Sequence, residues 1–287
     1  MTTSIRFFFV DVFADWPLTG NPLTLVPDAD DLTVPQMRAV AREFNQSETT
    51  FLFRTDEAGV DWRLRSFTAA GVEVDGAGHN ALGAWLWLAE QGLTGDGPAV
   101  TARQRIGPEV LAVEILRTPG EPTRVVMDQG APEFGKEIPT DERLARALGL
   151  EAHHFRAGSP AQVVSTGVAH LMVPLASPEA VDKAAAESRE LAALLADAGA
   201  EGCYLYTATA YTRFFNPTVG IAEDPATGTA AGPLAALLVR SGQPSPVFIE
   251  QGHRLGRPSR IRVDVDGDLV RLSGSGLVTG HGELRLA

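Results

Sequence analysis

The sequence predicts an α+β protein of two pseudo-symmetric lobes, each a curved, mainly antiparallel, barrel-like sheet around one central helix. Three observations lead there. First, Arg65-Ser66-Phe67-Thr68 and Gly78-His79-Asn80-Ala81 recur as Arg213-Phe214-Phe215-Asn216 and Gly228-Thr229-Ala230-Ala231, offset by 148 and 150 in a chain of 287 residues. An offset slightly over half the length points to an internal repeat. Second, an apolar run follows each glycine, over residues 82–88 and 234–239, of core-helix length. Third, strand and helix signals mix without the steady βαβ alternation of a doubly wound sheet. Two glycine-led helix starts facing each other across a cleft would make a site for a small anion.

The elements follow in order. Residues 7–13, Phe7-Phe8-Phe9-Val10-Asp11-Val12-Phe13, read as a buried strand. Leu18-Thr19-Gly20-Asn21-Pro22 is a turn, and residues 23–26 form the next strand. Thr33 opens a helix with a capping box closed by Gln36 and Pro35 in its first turn. Met37, Val40, Ala41 and Phe44 line one face of it, Asn45 ends it, and a strand follows over residues 49–53. Ser47 and Glu48 therefore stand at a helix-to-strand junction. Residues 61–67 alternate as a strand, and the first repeat glycine then opens a helix over 79–91 that Gly92 stops.

Pro119-Gly120-Glu121-Pro122 is the strongest break in the middle of the chain. It divides residues 1–119 from 120–276, with a last strand over about 277–287 expected to pack back on the first lobe. Beyond the break come a strand at 124–127, a Thr140-capped helix to 148, a strand at 162–165 and a helical stretch from 178 to 196 capped by Ser177. Strands at 203–207 and 210–215 lead into the second repeat helix. Late strands fall at 247–250, 260–265 and 269–273, the last two joined by an Asp266-Gly267 hairpin.

Composition narrows the function. Hydrophobic residues make up 44% and charged residues 21%, which fits a soluble globular protein. No apolar run has the length of a membrane span, and the N-terminus runs straight into a β-type segment without a signal peptide; the expected location is cytoplasmic. The net charge is −12, with Lys136 and Lys183 the only lysines. That balance argues against nucleic acid or an anionic membrane as partner. Cys203, the single cysteine, excludes an intrachain disulfide or a thiolate metal cluster and reads as a small buried hydrophobe. His153 and His154 are adjacent while His170, His253 and His281 are isolated, so no metal pattern is present. Asp264, Asp266 and Asp268 lack the glycine and closing glutamate of a calcium loop. Ser47 and Ser273 lack a Gly-x-Ser-x-Gly context, which leaves a hydrolase triad without support.

Three segments carry chemistry. Glu48, in Asn45-Gln46-Ser47-Glu48-Thr49-Thr50, is either an acid/base carboxylate in a closed cleft or a solvated junction residue. His79, between Gly78 and an apolar helix, is either a neutral hydrogen-bonding imidazole at a helix start or a mere cap. In Glu223-Asp224-Pro225-Ala226-Thr227-Gly228-Thr229, Asp224 orients a substrate amine or hydroxyl while the Gly228 and Thr229 N–H groups bind a carboxylate, or Asp224 and Thr227 only cap a helix. Without Gly-Lys-Ser/Thr this segment is no nucleotide loop.

Together these pieces resemble the PhzF family of phenazine biosynthesis-like proteins, of the diaminopimelate epimerase-like fold. The matching motifs run the length of the chain: Asp11-Val12-Phe13-Ala14 with Thr19-Gly20-Asn21-Pro22, Ala41-Arg42-Glu43-Phe44-Asn45 with Ser47-Glu48-Thr49, Gly78-His79, residues 223–233, and Gln251-Gly252 with Gly256-Arg257-Pro258-Ser259. The resemblance implies Glu48 as acid/base, with His79 and Asp224 as catalytic partners. It implies Gly78, Gly228 and Thr229 as carboxylate contacts, and Ser47 and Asn80 stand beside them as further substrate contacts. Thr229 replaces a common Ser, and Asn80 stands where Pro or Ala is usual. The implied activity is a cofactor-independent isomerase that moves a proton within a small anionic unsaturated ring, of dihydro-hydroxyanthranilate type. The resemblance also implies a homodimer and no metal. An amino-acid racemase of the same fold would need two facing thiols, but Ala77 holds the first position and no sulfur lies in the 224–228 loop. A non-catalytic small-molecule-binding protein is the other alternative.

Overall fold

The two halves of the duplication share a common succession of strands around one enclosed helix, to which the second adds a leading strand, a short helix and a second crossover helix. The computed structural model describes residues 3–286. They form two compact units, one up to Met127 together with the residues from Ser273 on, the other Asp128–Leu272. The first holds β1 (Thr3–Val12), β2 (Asn21–Val26), α1 (Val34–Phe44), β3 (Glu48–Phe53), β4 (Trp62–Thr68), β5 (Glu73–Val74), α2 (His79–Glu90), β6 (Ala99–Ile106), β7 (Glu109–Leu116) and β8 (Arg124–Gln129), at whose end the boundary falls. The second holds β9 (Glu133–Ile138), α3 (Glu142–Ala147), β10 (Ala161–Ser165), β11 (Ala169–Pro174), α4 (Pro178–Lys183), α5 (Ser188–Ala198), β12 (Gly202–Tyr206), β13 (Thr212–Asn216), β14 (Ile221–Asp224), α6 (Gly228–Arg240), β15 (Val247–Gln251), β16 (Ser259–Asp266) and most of β17 (Leu269–Gly274). The last strand, β18 (Gly276–Leu286), belongs to the first unit and pairs antiparallel with β1 along its length.

The pairings match strand for strand. β2 lies parallel to β3 and β11 parallel to β12, each pair joined by a helical crossover. β3 and β4 are antiparallel, as are β12 and β13, and each hairpin adds a short antiparallel strand, β5 or β14. β4 then runs parallel to β6, and Tyr211 makes a parallel bridge to Glu250 at the corresponding place. The remaining pairs described are antiparallel. The α+β class and the two-lobed repeat are therefore those the sequence predicts, built as open sheets rather than closed barrels.

Helix α2 is buried from His79 to Leu88, the mark of a helix enclosed by its sheet rather than laid on it. Trp85 is fully buried and its indole N–H donates to Gln104 Oε1 at 2.8 Å, so the largest core side chain leaves no orphan donor. Burying Leu82 and Leu88 contributes about 1.5–3 kcal/mol each. Across the sheet, α1 turns Met37, Val40 and Ala41 to a cluster with Phe51 and Phe67. Its start has Gln36 Oε1 accepting from Thr33 N–H at 3.0 Å, and Asn45 ends it in the left-handed conformation. In the second unit α6 is the enclosed helix, while α3, α4 and α5 cover the opposite face in a cluster that includes Cys203. Burial pushes the Cys203 thiol up, and it serves as the small hydrophobe its context predicts. No described helix is long and apolar enough to cross a membrane.

Two local expectations are corrected. The helix predicted over 178–196 is two, because Arg213 Nη1 takes the carbonyls of Val181, Asp182 and Ala184 at 3.1, 3.2 and 2.7 Å. With those acceptors occupied, Ala184 turns extended and Glu187 restarts the helix, its carboxylate accepting from Glu190 N–H at 2.7 Å. In α3 the cap is Asp141 rather than Thr140, its Oδ1 accepting from Arg143 and Leu144 N–H at 3.0 Å each. The β6–β7 hairpin, turned at Gly107-Pro108, was not read from the sequence at all.

Candidate active site

The predicted residues fall into two groups, one in each unit. In the first, strand periodicity decides what faces what. Thr50 Oγ1 and Ser66 Oγ lie 2.9 Å apart on neighbouring strands, and Asn80 Nδ2 of α2 reaches Ser66 Oγ at 3.1 Å. Glu48 is two residues before Thr50 and heads β3, so its side chain leaves the sheet on the face that carries the start of α2. Glu48 is half-buried, and Ser47 sits half-buried in the bend before it.

The turn into α2 is held by Asn80. Its Oδ1 accepts from Gly78 N–H at 2.7 Å, and its Nδ2 donates to Gly76 O at 2.9 Å as well as to Ser66. Both amide hydrogens are thus spent inside the unit, and Asn80 is 1% exposed. Gly78 N–H is also engaged, so the donors without an intrahelical acceptor are those of His79, Asn80 and Ala81; the first helical bond runs from Leu82 N–H to Gly78 O. His79 is buried, and burial lowers its pKa to about 4, so the imidazole is neutral at pH 7. Its Nε2 is buried with no hydrogen-bond partner among the described residues. That nitrogen is available to a ligand.

In the second unit the Asp224–Thr227 loop is clasped from behind by residues that sequence reasoning used only as a family motif. Gln251 is fully buried and makes four hydrogen bonds. Its Oε1 accepts from Tyr204 Oη at 2.8 Å and Thr227 N–H at 3.1 Å; its Nε2 donates to Asp224 O at 2.7 Å and Thr227 Oγ1 at 3.1 Å. Ser259 Oγ donates to Pro225 O at 3.1 Å. Gly252, at φ +81°, lets the strand pass so close that a Cβ there would lie 2.6 Å from Pro225 O. Thr227 Oγ1 donates to Asp224 Oδ2 inside the loop, and Asp224 is 7% exposed. Gln129 Nε2 holds Gly228 O at 3.0 Å. At α6 the first helical bonds return to Thr227 O, from Ala230 and Ala231, which leaves Gly228 and Thr229 N–H without intrahelical acceptors.

The duplication extends into this machinery. Arg65 binds Glu73 in a two-point ion pair (2.6 and 2.7 Å), and Arg213 binds Glu223 likewise (2.8 Å twice). Each pair ties a strand to the short segment feeding the helix start. His170, set aside in the sequence as isolated, also belongs here: it is 1% exposed and its Nε2 lies 3.3 Å from Thr229 Oγ1. The only sequence signal for it was its place in the repeat, which shifting offsets conceal.

Comparison with known proteins agrees with this architecture. Residues 10–283 match the profile of the PhzC-PhzF family, described as phenazine biosynthesis-like protein. The trans-2,3-dihydro-3-hydroxyanthranilate isomerase of Pseudomonas chlororaphis is 34% identical over 290 residues, covering 98% of this chain and 99% of that one. A PhzF-family phenazine biosynthesis protein of Bacillus anthracis superposes with a TM-score of 0.88 at 26% identity, covering 98% and 99% of the two chains. A hydroxyproline epimerase from Agrobacterium vitis shares the fold, with a TM-score of 0.64 at 11% identity over 99% and 93%. Matched from end to end in sequence and in fold, the chain belongs to the PhzF family of phenazine biosynthesis-like proteins and is an isomerase of that family.

Proposed function

We propose that the chain is a cofactor-independent isomerase that moves a proton within a small anionic unsaturated ring of dihydro-hydroxyanthranilate type, with Glu48 as acid and base. The observation that carries this reading is a half-buried carboxylate on the same sheet face as a helix start whose histidine is neutral and has an unclaimed Nε2. Glu48 takes a proton from an sp³ ring carbon; the electron pair shifts through the conjugated system, and the protonated carboxyl returns a proton to another carbon. No net oxidation occurs. His79 Nε2 and the Asp224 carboxylate hold the substrate's hydroxyl and amine and stabilise charge as it moves. The substrate carboxylate is gripped by helix-start N–H groups beside Gly78 and at Gly228 and Thr229, with the Thr229 hydroxyl as a further donor. Ser47 flanks Glu48 as a substrate contact, while Asn80 acts through the turn it holds.

A thiol-based racemase finds no support, since Cys203 lies in the core cluster with α3–α5 and Ala77 and Thr227 precede the two helix-start glycines. The test is turnover of trans-2,3-dihydro-3-hydroxyanthranilate in D₂O. The wild-type enzyme incorporates deuterium into product, and Glu48→Gln lowers the rate by about 10²–10⁴. A Glu48→Gln variant that still incorporates deuterium at the wild-type rate removes Glu48 from the role. Ligand bound without any exchange by the wild type would leave a binding protein instead. We further propose a cytoplasmic homodimer joined through sheet edges; sedimentation should give twice the 30.5 kDa chain mass, and a single chain mass refutes the assembly.

A further inference from the structure

We propose that His170 is a positioning residue for the anion grip: its Nε2–H donates to Thr229 Oγ1, so that the hydroxyl's own proton is kept for the substrate carboxylate. The inference rests on the reading of Thr229 as a carboxylate contact. His170 lies on β11, whose alternate residues Leu171 and Val173 join the cluster under α3–α5. His170 therefore leaves the sheet on the α6 face, where its Nε2 meets Thr229 Oγ1 at 3.3 Å. Phe214 stands edge-on to the imidazole, with ring centroids 5.1 Å apart and planes at 90°. Gly202, its partner on β12, leaves the space the ring occupies: a Cβ there would lie 2.3 Å from Phe214 Cζ and 3.2 Å from His170 Nδ1.

The tautomer follows from satisfaction of buried groups. His170 Nδ1 is buried with no partner among the described residues. A proton on Nδ1 would bury an orphan donor and would make Nε2 consume the threonine's proton. A proton on Nε2 leaves only a bare acceptor inside, the less costly defect. Burial lowers the imidazole's pKa to about 4, so the ring is neutral at pH 7 and carries one proton, which satisfaction of the buried groups puts on Nε2. In this state the hydroxyl accepts from His170 and has one hydrogen, which is free for an anion.

The repeat gives the arrangement a meaning. β2 and β3 pair Leu23 with Glu48 in the same parallel register in which β11 and β12 pair His170 with Gly202. Where the first unit carries its acid/base carboxylate, the second has a glycine. Where the second carries His170, the first has a leucine. At this pair of positions the copies have diverged, one carrying the proton-transfer carboxylate and the other the support for the anion-binding hydroxyl.

The test uses 3-hydroxyanthranilate, an aromatic carboxylate with no sp³ ring carbon to deprotonate, and 2-aminophenol, the same ring without the carboxylate. Titration of His170→Leu should show about tenfold weaker binding of the acid, with 2-aminophenol changed less than about twofold. His170→Gln, which puts an amide N–H at the place of Nε2, should restore most of the affinity. Thr229→Val should weaken the acid to the same degree, and His170→Leu added to Thr229→Val should cost nothing more. Equal losses for both ligands, additive losses in the double variant, or failure of His170→Gln to rescue would overturn the proposal. In the wild-type protein, long-range ¹H–¹⁵N spectra should show Nε2 protonated and Nδ1 bare; the reverse refutes the proposal without any variant. If the wild type shows no preference for the acid over 2-aminophenol, the carboxylate reading itself fails, whatever the spectra show.

Discussion

Two histidines buried in neutral form should make this protein acid-sensitive in a way that can be assigned residue by residue. Burial lowers His79 and His170 from an ordinary 6.5 to about 4. The unfolded chain takes up two protons near pH 6.5 that the folded chain refuses until about pH 4, so stability is complete above that window and falls as pH drops through it. Between about pH 7.5 and about pH 5.5, each histidine should remove about 1.4 kcal/mol, and the pair about 3 kcal/mol. Urea unfolding across that range measures the slope. His79→Gln and His170→Gln should each flatten it by about one proton, and the double variant by about two, whatever the carboxylates contribute, because their titration cancels in the comparison. Curves for wild type and His79→Gln that run parallel would refute the claim that His79 is buried as a neutral ring.

Two further substitutions test the scaffolding behind the helix starts. Gln251→Leu deletes four buried hydrogen bonds at about 1 kcal/mol each, and should lower Tm by roughly 10 °C in calorimetry while activity falls as the Asp224 loop loosens; a melt within a degree or two of wild type refutes the clasp. Asn80→Ala deletes three, so hydrogen exchange at Gly78 N–H should quicken by at least about tenfold, and unchanged protection there would deny Asn80 its hold on the turn.

What the sequence disclosed depended on how local the signal was. Four-residue matches were enough to find β4, β13 and both helix starts, because the Arg–Glu ties and the glycine turn lie within about a dozen residues of each other. The capping box at Thr33 and Gln36 and the stop at Asn45 are local too, and both are present in the structure. The break between α4 and α5 was illegible, since the guanidinium that takes its carbonyls comes from Arg213, about thirty residues further on and on another element. His170 was passed over for the same reason: Thr229, its partner, is 59 positions away. A constant repeat spacing would expose it, but the offset from Leu23 to His170 is 147 and from Glu48 to Gly202 is 154. Unequal crossovers, one helix in the first unit and two in the second, had erased the common spacing.

The pairing of β18 with β1 reverses the order in which this chain can be finished. A ribosome delivers Phe7-Phe8-Phe9 well before the strand that lies along their edge, which emerges only after every residue of the intervening unit. During that interval the nascent first unit shows an unpaired, aromatic edge, the kind of surface that draws other strands. The inserted unit, continuous in sequence, has all its segments in hand before release. The edge of β1 thus waits on a strand encoded at least about 260 codons downstream.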